Sequence, residues 1–248
     1  MKTSIKILWG GLILIVLTGL IFITLTRLDL HEVVPEYGNG ILIEKTIPME
    51  NFVGFTAHDR LIVHYQAADQ YAIKVRTDSN MHKHLRFDVS NGDWAHIATD
   101  ESFGNASLIE VTVYAPHIIG FNADNSAEVI CDSAFEQASL EVRTQNSGKA
   151  RFFANTKELI LRAHGSSTIY AQGQTEDLSV VVYNSSEIDA SELRSQYAEV
   201  MANSNGMAKL SVEKRLVANT GEGAQVLYSG PESLIVKSEG NGISKAIR

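Results

Sequence analysis

Apolar residues recur at a nearly constant interval in the second half of the chain. The first apolar positions of successive units are 19, 19, 19, 19 and 18 residues apart. These positions are Leu140, Leu159, Leu178, Tyr197, Leu216 and Leu234. Apolar and polar residues alternate within each unit, with the two-residue period of a β-strand. One short unit cannot bury its apolar face, but stacked units can. The pattern therefore predicts a parallel β-solenoid of about 19 residues per coil over residues 116–248, right-handed by the usual sense of strand crossovers.

A small or turn-forming residue stands seven positions into each unit. These residues are Ser147, Ser166, Ser185, Ser204, Gly223 and Asn241. Neighbouring Asn and Gly residues supply the positive φ angles that tight turns need. Each unit is therefore predicted to form a strand, a tight turn, a second strand and a polar loop.

Residues 41–115 alternate as strands do but lack the 19-residue repeat. The pair Asn91-Gly92 between two alternating runs is a strong hairpin signal. We interpret this region as an antiparallel β cap over the N-terminal end of the solenoid, because the end of a repeat stack must be covered. Residues 27–40 contain Pro35, Gly38 and Gly40, and we interpret them as a linker.

The N-terminus carries the features of a membrane anchor. From Ile7 to Leu25 the chain is apolar apart from two threonines, and Lys2 and Lys6 precede this run. A helix of this length spans about 28 Å, close to the thickness of a bilayer core. With no small-residue cleavage site after it, the run favours an uncleaved single-pass helix over residues 7–26, with residues 1–6 in the cytoplasm. The alternative is a cleaved signal peptide and a secreted or envelope-associated protein.

Composition argues against a nucleic-acid partner and against an internal disulfide. The formal net charge is −8 and the chain has no basic cluster, so we expect no nucleic-acid partner. The only cysteine, Cys131, cannot form an internal disulfide, and we interpret it as a buried apolar residue.

Several segments together resemble a known family. They are Phe52–Val63, Ile73-Lys74-Val75, Asn91-Gly92-Asp93, Val111–Pro116 and the serial Asn-Ser, Gly-Ser and Gly-Glu-Gly turns. Over residues 40–245 the chain resembles the GIN-domain family, described as a putative auto-transporter adhesin head domain. The resemblance implies a β-helical protein of the bacterial cell envelope, and with the anchor it implies an inner-membrane protein with a periplasmic C-terminal domain. The chain departs from the family in its many Asn-Ser turns, where the family favours Gly-Ser-Gly, and in having an anchor where many relatives carry a lipoprotein signal.

No catalytic, cofactor-binding or metal-binding motif stands out. The chain has no G-x-S-x-G, H-E-x-x-H, C-x-x-C or phosphate-binding glycine loop. His82 and His84 would project from the same side of a strand and could share a metal, but no third ligand is evident. We therefore interpret them as solvated strand-edge residues and assign no catalytic residue, cofactor or metal.

The repeat predicts which residues point outward. Positions nine and eleven of each unit alternate with the inward set, and they are Lys149, Thr168, Glu187, Gly206 and Gln225, and Arg151, Tyr170, Asp189, Ala208 and Leu227. Glu187 and Asp189 would lie about 7 Å apart on one strand. With Tyr170, Arg151 and Lys149 they form a candidate ligand or glycan face. Such a carboxylate pair could also cleave a polysaccharide, and an ordinary mixed-charge surface is the simpler interpretation.

Some strands are apolar on both faces, which is typical of strands covered on both sides. Their outward residues are predicted to form a packing or oligomer stripe. This stripe consists of Ile160, Val181, Val200, Val217 and Ile235. Residues 41–115, another β layer or a second molecule could cover it.

These features favour a membrane-anchored extracytoplasmic β-solenoid that acts as a non-catalytic binding, adhesin-like or structural envelope module. Its expected partners are the membrane, through residues 7–26, and envelope or surface glycans or proteins, and a homo-oligomer is compatible with the stripe. A carbohydrate-active enzyme that uses the carboxylate pair is the alternative.

Overall fold

The computed structural model describes residues 13–21, 34–90 and 93–247. The chain divides into two compact units, Met1–Pro35 and Glu36–Arg248. Residues 13–21 are α-helical. Among the described residues, no helix has the length and hydrophobicity needed to span a bilayer. The predicted anchor over residues 7–26 lies partly outside the described residues, and Asn91-Gly92 lies wholly outside them.

Short and long strands build the second unit. The strands are β1 (Glu36–Tyr37), β2 (Leu42–Pro48), β3 (Gly54–Ala57), β4 (Ile62–Ala67), β5 (Ala72–Asp78), β6 (Leu85–Ser90), β7 (Trp94–Thr99), β8 (Phe103–Asn105), β9 (Ile109–Ala115), β10 (Gly120–Ala123), β11 (Glu128–Cys131), β12 (Phe135–Gln145), β13 (Lys149–His164), β14 (Thr168–Val182), β15 (Glu187–Ala202), β16 (Met207–Thr220), β17 (Gln225–Ser229), β18 (Ser233–Ser238) and β19 (Ile243–Ala246). A 3-10 helix occupies His82–His84.

The long strands stack in parallel, one coil on the next. Leu140 pairs with Leu159, and Leu159 pairs with Leu178, so equivalent residues of successive units are direct neighbours. The stack makes a parallel β-solenoid of about seven turns with a spacing of about 19 residues. The repeat in the sequence therefore predicted the architecture correctly.

The region 41–115 is only partly an antiparallel cap. Strands β2, β5 and β6 pair antiparallel with their neighbours. In contrast, β3 pairs in parallel with β7 and β10, and β4 pairs in parallel with β9 and β11. The expectation of a wholly antiparallel region is therefore wrong. Four of its strands extend the stack by two layers, and their order in space differs from their order in the chain, which hides the repeat.

One core runs through the cap and the solenoid. Its inward residues alternate along the strands as the sequence predicts, and Leu140, Leu159 and Leu216 are fully buried. Aromatic rings fill the first coils. Phe121 lies 5.8 Å from Phe55 between ring centroids and is 0% exposed. Burial of each such ring contributes roughly 1.5–3 kcal/mol to stability.

The repeat slips by one residue between β14 and β15. Tyr170 pairs with Asp189, but Gln172 pairs with Glu192, so β15 contains one extra residue. Such a bulge moves every later side chain to the opposite face relative to a strict 19-residue spacing. Leu178 therefore pairs with Ala198 rather than with Tyr197.

Four predicted orientations are wrong for this reason. Tyr197 is 39% exposed and is not the inward residue of its unit, whereas Val200, predicted to point outward, is 0% exposed in the core. Gly206 and Ala208 are likewise buried. The outward positions predicted for Val200, Gly206 and Ala208 are instead occupied by Met201, Met207 and Lys209, respectively.

The predicted turns occur at the predicted places. In most coils two consecutive residues have positive φ, as at Asn146 (49°) and Ser147 (66°), and at Asn184 (52°) and Ser185 (60°). This is the conformation of a type I′ turn. Serine rarely adopts it, so the ladder of turns holds several residues in a locally unfavourable backbone conformation.

Candidate functional site

Successive coils place the predicted ligand residues on one outward surface, which we call the ladder face: the outward residues of segments 149–153, 168–172, 187–192 and 207–211. The register aligns Arg151 with Tyr170 and Tyr170 with Asp189. It also aligns Lys149 with Glu187 through Thr168. The intervening residues are buried and fix this orientation. The structure thus brings all five predicted residues together.

Lys209 completes the ladder face, and sequence reasoning missed it. Its Nζ lies 2.7 Å from Oε1 of Glu187 and 3.5 Å from Oδ2 of Asp189. The strict 19-residue spacing had placed buried Ala208 at this position. The mixed-charge order Glu187, Asp189, Lys209 is visible in the sequence, but only the bulge reveals that the three side chains share a face.

Local interactions favour the charged form of Asp189. Partial burial tends to raise the pKa of Asp189, but hydrogen bonds from the hydroxyl and backbone N–H of Ser191, together with the charge of Lys209, lower it overall. The hydrogen bond to Glu187 raises the pKa of Lys209 against the opposing effect of desolvation. A glycosidase needs one carboxylic acid with a raised pKa. Asp189 has the opposite shift, and Glu187 is held by Lys209.

A shallow depression lies beside this ion cluster. The guanidinium carbon of Arg151 stacks 5.5 Å from the ring centroid of Tyr170, which is 40% exposed. Gln172 donates a hydrogen bond to Glu192 on the next strand. These four residues and Asp189 line a depression of about 330 Å³. The arrangement offers an aromatic surface surrounded by planar polar groups, which suits binding.

The comparison with family models decides the classification. A model described as "Putative auto-transporter adhesin, head GIN domain" matches residues 51–231, which is more than half of the 248-residue chain. The chain belongs to the GIN-domain family.

Solved structures share the fold of this GIN-domain protein at low sequence identity. A putative adhesin from Bacteroides fragilis has a TM-score of 0.77 and 15% identity, covering 86% of this chain and 100% of the other. A putative lipid binding protein from Parabacteroides distasonis has a TM-score of 0.71 and 18% identity, with coverage of 86% and 100%. A putative adhesin from Parabacteroides merdae has a TM-score of 0.66 and 16% identity, with coverage of 87% and 100%. Among curated proteins there is no significant match.

The histidine pair of the GIN-domain protein does not lie on a strand edge as predicted. Both residues belong to the 3-10 helix, and His84 is 7% exposed. Its Nε2 lies 3.0 Å from Glu36, and its Nδ1 lies 3.0 Å from Asp100. His82 Nε2 lies 3.2 Å from the carbonyl oxygen of Ile43. These contacts make His84 a structural link between β1 and the loop that contains Asp100. In the described part of the chain, no group of three or more His, Cys, Asp and Glu side chains is arranged to hold a metal.

The predicted outer stripe is interrupted. Ile160 and Val217 share one ladder, but Ser179 and Glu199 separate them. Val181 lies in the adjacent ladder beside exposed Arg162. Ile235, at 39% exposure, continues the ladder of Val217, whereas Val200 lies in the core. Polar side chains thus divide the apolar residues, and a role of the remaining four in packing or assembly stays a prediction.

Proposed function

We propose that this GIN-domain protein is a non-catalytic, adhesin-like binding module that is anchored in a bacterial inner membrane through residues 7–26. Its solenoid lies on the periplasmic side and binds envelope or surface glycans through the ladder face. The observation that carries the proposal is the pairing of Glu187 and Asp189 with Lys209 beside the exposed Arg151–Tyr170 stack. Asp189 is held in its charged form by Ser191 and Lys209, and Glu187 accepts a hydrogen bond from Lys209 at 2.7 Å.

The chemistry of the ladder face favours a glycan. A sugar ring has an apolar C–H side, which suits the exposed ring of Tyr170, and hydroxyl groups that both donate and accept hydrogen bonds. Arg151 supplies donors, Asp189 and Glu192 supply acceptors, and Gln172 supplies both. Because these residues stand on rigid strands, binding orders few side chains. The naming of similar folds as putative adhesins is consistent with this role.

Binding to a glycan array by the detergent-solubilised full chain tests the ladder face. Tyr170→Ala should weaken binding about tenfold or more, because it removes the aromatic surface and the support of Arg151. Tyr197→Ala is the matched control, since Tyr197 is 39% exposed against 40% for Tyr170, and it also stacks with a cation, Lys214, at 5.3 Å. Loss of binding in both variants, or no glycan bound by the unmutated chain, would contradict the proposal.

The anchor is tested separately in membranes. After alkaline extraction, the protein should remain in the membrane pellet, and N-terminal sequencing should find residues 1–26 still attached. A mature N-terminus after residue 26 would instead establish the cleaved signal peptide and overturn the anchor.

A further inference from the structure

We infer that a cleft between the coil turns and the loop 99–109 is a second binding site, which takes a single neutral pyranose unit. The inference rests on the proposed glycan-binding function but concerns residues outside the ladder face. We call this site the turn cleft. It is lined by Arg60 and Asn125 from the turns, and by Glu101, Phe103 and Asn105 from the segment 99–109.

The turn cleft has the size of a ligand site. Its volume is about 790 Å³, within the roughly 300–1,000 Å³ of small-molecule pockets. Its lining comes from the segment 99–109 and from the type I′ turns of the first coils. Those turns contain Arg60, at φ 60°, and Asn125, at φ 50°. The backbone N–H of Arg60 donates to the carbonyl of Asn125 at 3.1 Å, which links the two turns.

The segment 99–109 is held by several polar contacts. Asp100 accepts hydrogen bonds from Arg86 at 3.0 Å and from the backbone N–H of Ser102 at 3.0 Å. Strand β8 pairs with β1, and the N–H of Gly38 donates to the carbonyl of Asn105 at 2.8 Å. The segment is thus preformed, so little conformational entropy is lost when a ligand binds.

Four polar side chains of the turn cleft are free to contact a ligand. Arg60, Glu101, Asn105 and Asn125 are exposed. Within the described residues, the side chains of these four make no hydrogen bond or ion pair. The other carboxylates of the cleft are already used: Asp59 accepts from the N–H of Thr99 at 3.1 Å, and Asp100 is bound as described above.

The free groups exclude ligands that carry only a negative or only a positive charge. Arg60 only donates and ionised Glu101 only accepts, so an anion would meet Glu101 and a cation would meet Arg60. A neutral hydroxyl-rich molecule satisfies both, because each hydroxyl donates and accepts. The half-buried side chains of Phe103 and Ile109 add an apolar patch, which suits the C–H face of a sugar ring. A neutral pyranose meets these requirements.

The test uses methyl glycosides of glucose, galactose, mannose and N-acetylglucosamine, titrated into the detergent-solubilised full chain and followed by saturation-transfer NMR. At least one glycoside should bind. Arg60→Gly and Asn105→Ala should each weaken that binding about tenfold or more. Glycine suits the positive φ of residue 60, so Arg60→Gly should fold, and Asn105→Ala decides the question if it does not.

Two controls locate the binding. Ser185→Gly makes the same backbone change at the second positive-φ position of a turn outside the cleft, and it should leave binding unchanged, as should Tyr197→Ala, which lies outside both proposed sites. The inference is overturned if no glycoside binds, or if Arg60→Gly and Asn105→Ala both bind as the unmutated chain does. Array binding that depends on Tyr170, without any glycoside bound in the turn cleft, would overturn this inference and leave the proposed function standing.

Discussion

Individual turn residues hold a locally unfavourable backbone conformation. Ser147 is exposed and has φ 66°, so its side chain contributes little packing and its backbone conformation dominates. Ser147→Val should lower the free energy of unfolding by about 1–2 kcal/mol or more, because a Cβ-branched residue is disfavoured in the left-handed region. Chemical denaturation measures the change. Ser147→Gly is the control and should stay within about 1 kcal/mol of the unmutated protein. Equal effects of the two variants would show that backbone strain is not the cause.

Lys209 shows how one side chain sets the electrostatics of the ladder face. Lys209→Met removes the charge that helps to lower the pKa of Asp189, while the apolar stem keeps most of its packing. The pKa of Asp189 should therefore rise relative to the unmutated protein, as measured by NMR titration of its carboxyl carbon. Lys149→Met removes a charge two coils away and should change the pKa of Asp189 much less. No rise in the first variant would mean that Ser191 alone holds the carboxylate.

At the scale of elements, one carboxylate adds to the backbone pairing that joins β1 to β8. Hydrogen bonds from Lys83, His84 and Asn80 lower the pKa of Glu36 from 4.5 to about 2. A folded-state pKa below the unfolded value means that the stabilisation is fully present above about pH 4.5 and is lost as the pH falls through about 2. Glu36→Gln should thus lower the melting temperature at pH 7, and the difference should shrink steadily from pH 4.5 toward pH 2.

The control for β1 is Glu44→Gln, which removes an ion pair with Lys74 at 3.1 Å in which the carboxylate is more exposed than that of Glu36. Exposed pairs contribute little, so its effect at pH 7 should be small. A deficit in Glu36→Gln that is the same at pH 7 and pH 2 would show that the loss comes from packing rather than from charge.

The elements also show how far the sequence could predict this structure. Repeated spacing identified the coils, and it placed Arg151, Tyr170 and Asp189 correctly because they precede the bulge in β15. After the bulge the strict 19-residue spacing no longer holds. It therefore predicted Ala208 rather than Lys209 as the outward residue, and it predicted that buried Val200 points outward. Ala190 and Ala198 are small and fit either face, so the local pattern does not mark the extra residue. Strands β3 and β4 were missed as coils because their neighbours in the stack, β7 and β9, come later in the chain.

At the scale of the whole molecule, the stability of the solenoid depends on contacts between adjacent coils. Each coil of a repeat stack contacts mainly its neighbours, so stability is approximately a sum of local contributions. The first coils differ from the later ones, because aromatic rings fill their core. Phe121 contacts Phe55 and Phe152 at 5.8 Å, and Phe135 at 6.1 Å, between ring centroids. Further along, small residues such as Ala198 and Ala218 take the inward positions.

This difference predicts where a core mutation acts. Phe121→Ala should cost about 3–5 kcal/mol, and native-state hydrogen exchange should accelerate most in β3, β10 and β12, the strands that pair with or lie beside the lost ring. Strands β15 and β16 should keep most of their protection. Leu216→Ala is the matched control, because Leu216 is 0% exposed and lies in a late coil; it should reverse the pattern. If both variants accelerate exchange equally in every coil, the stack unfolds as one cooperative unit, and the cap and the late coils cannot be treated as separately stabilised regions.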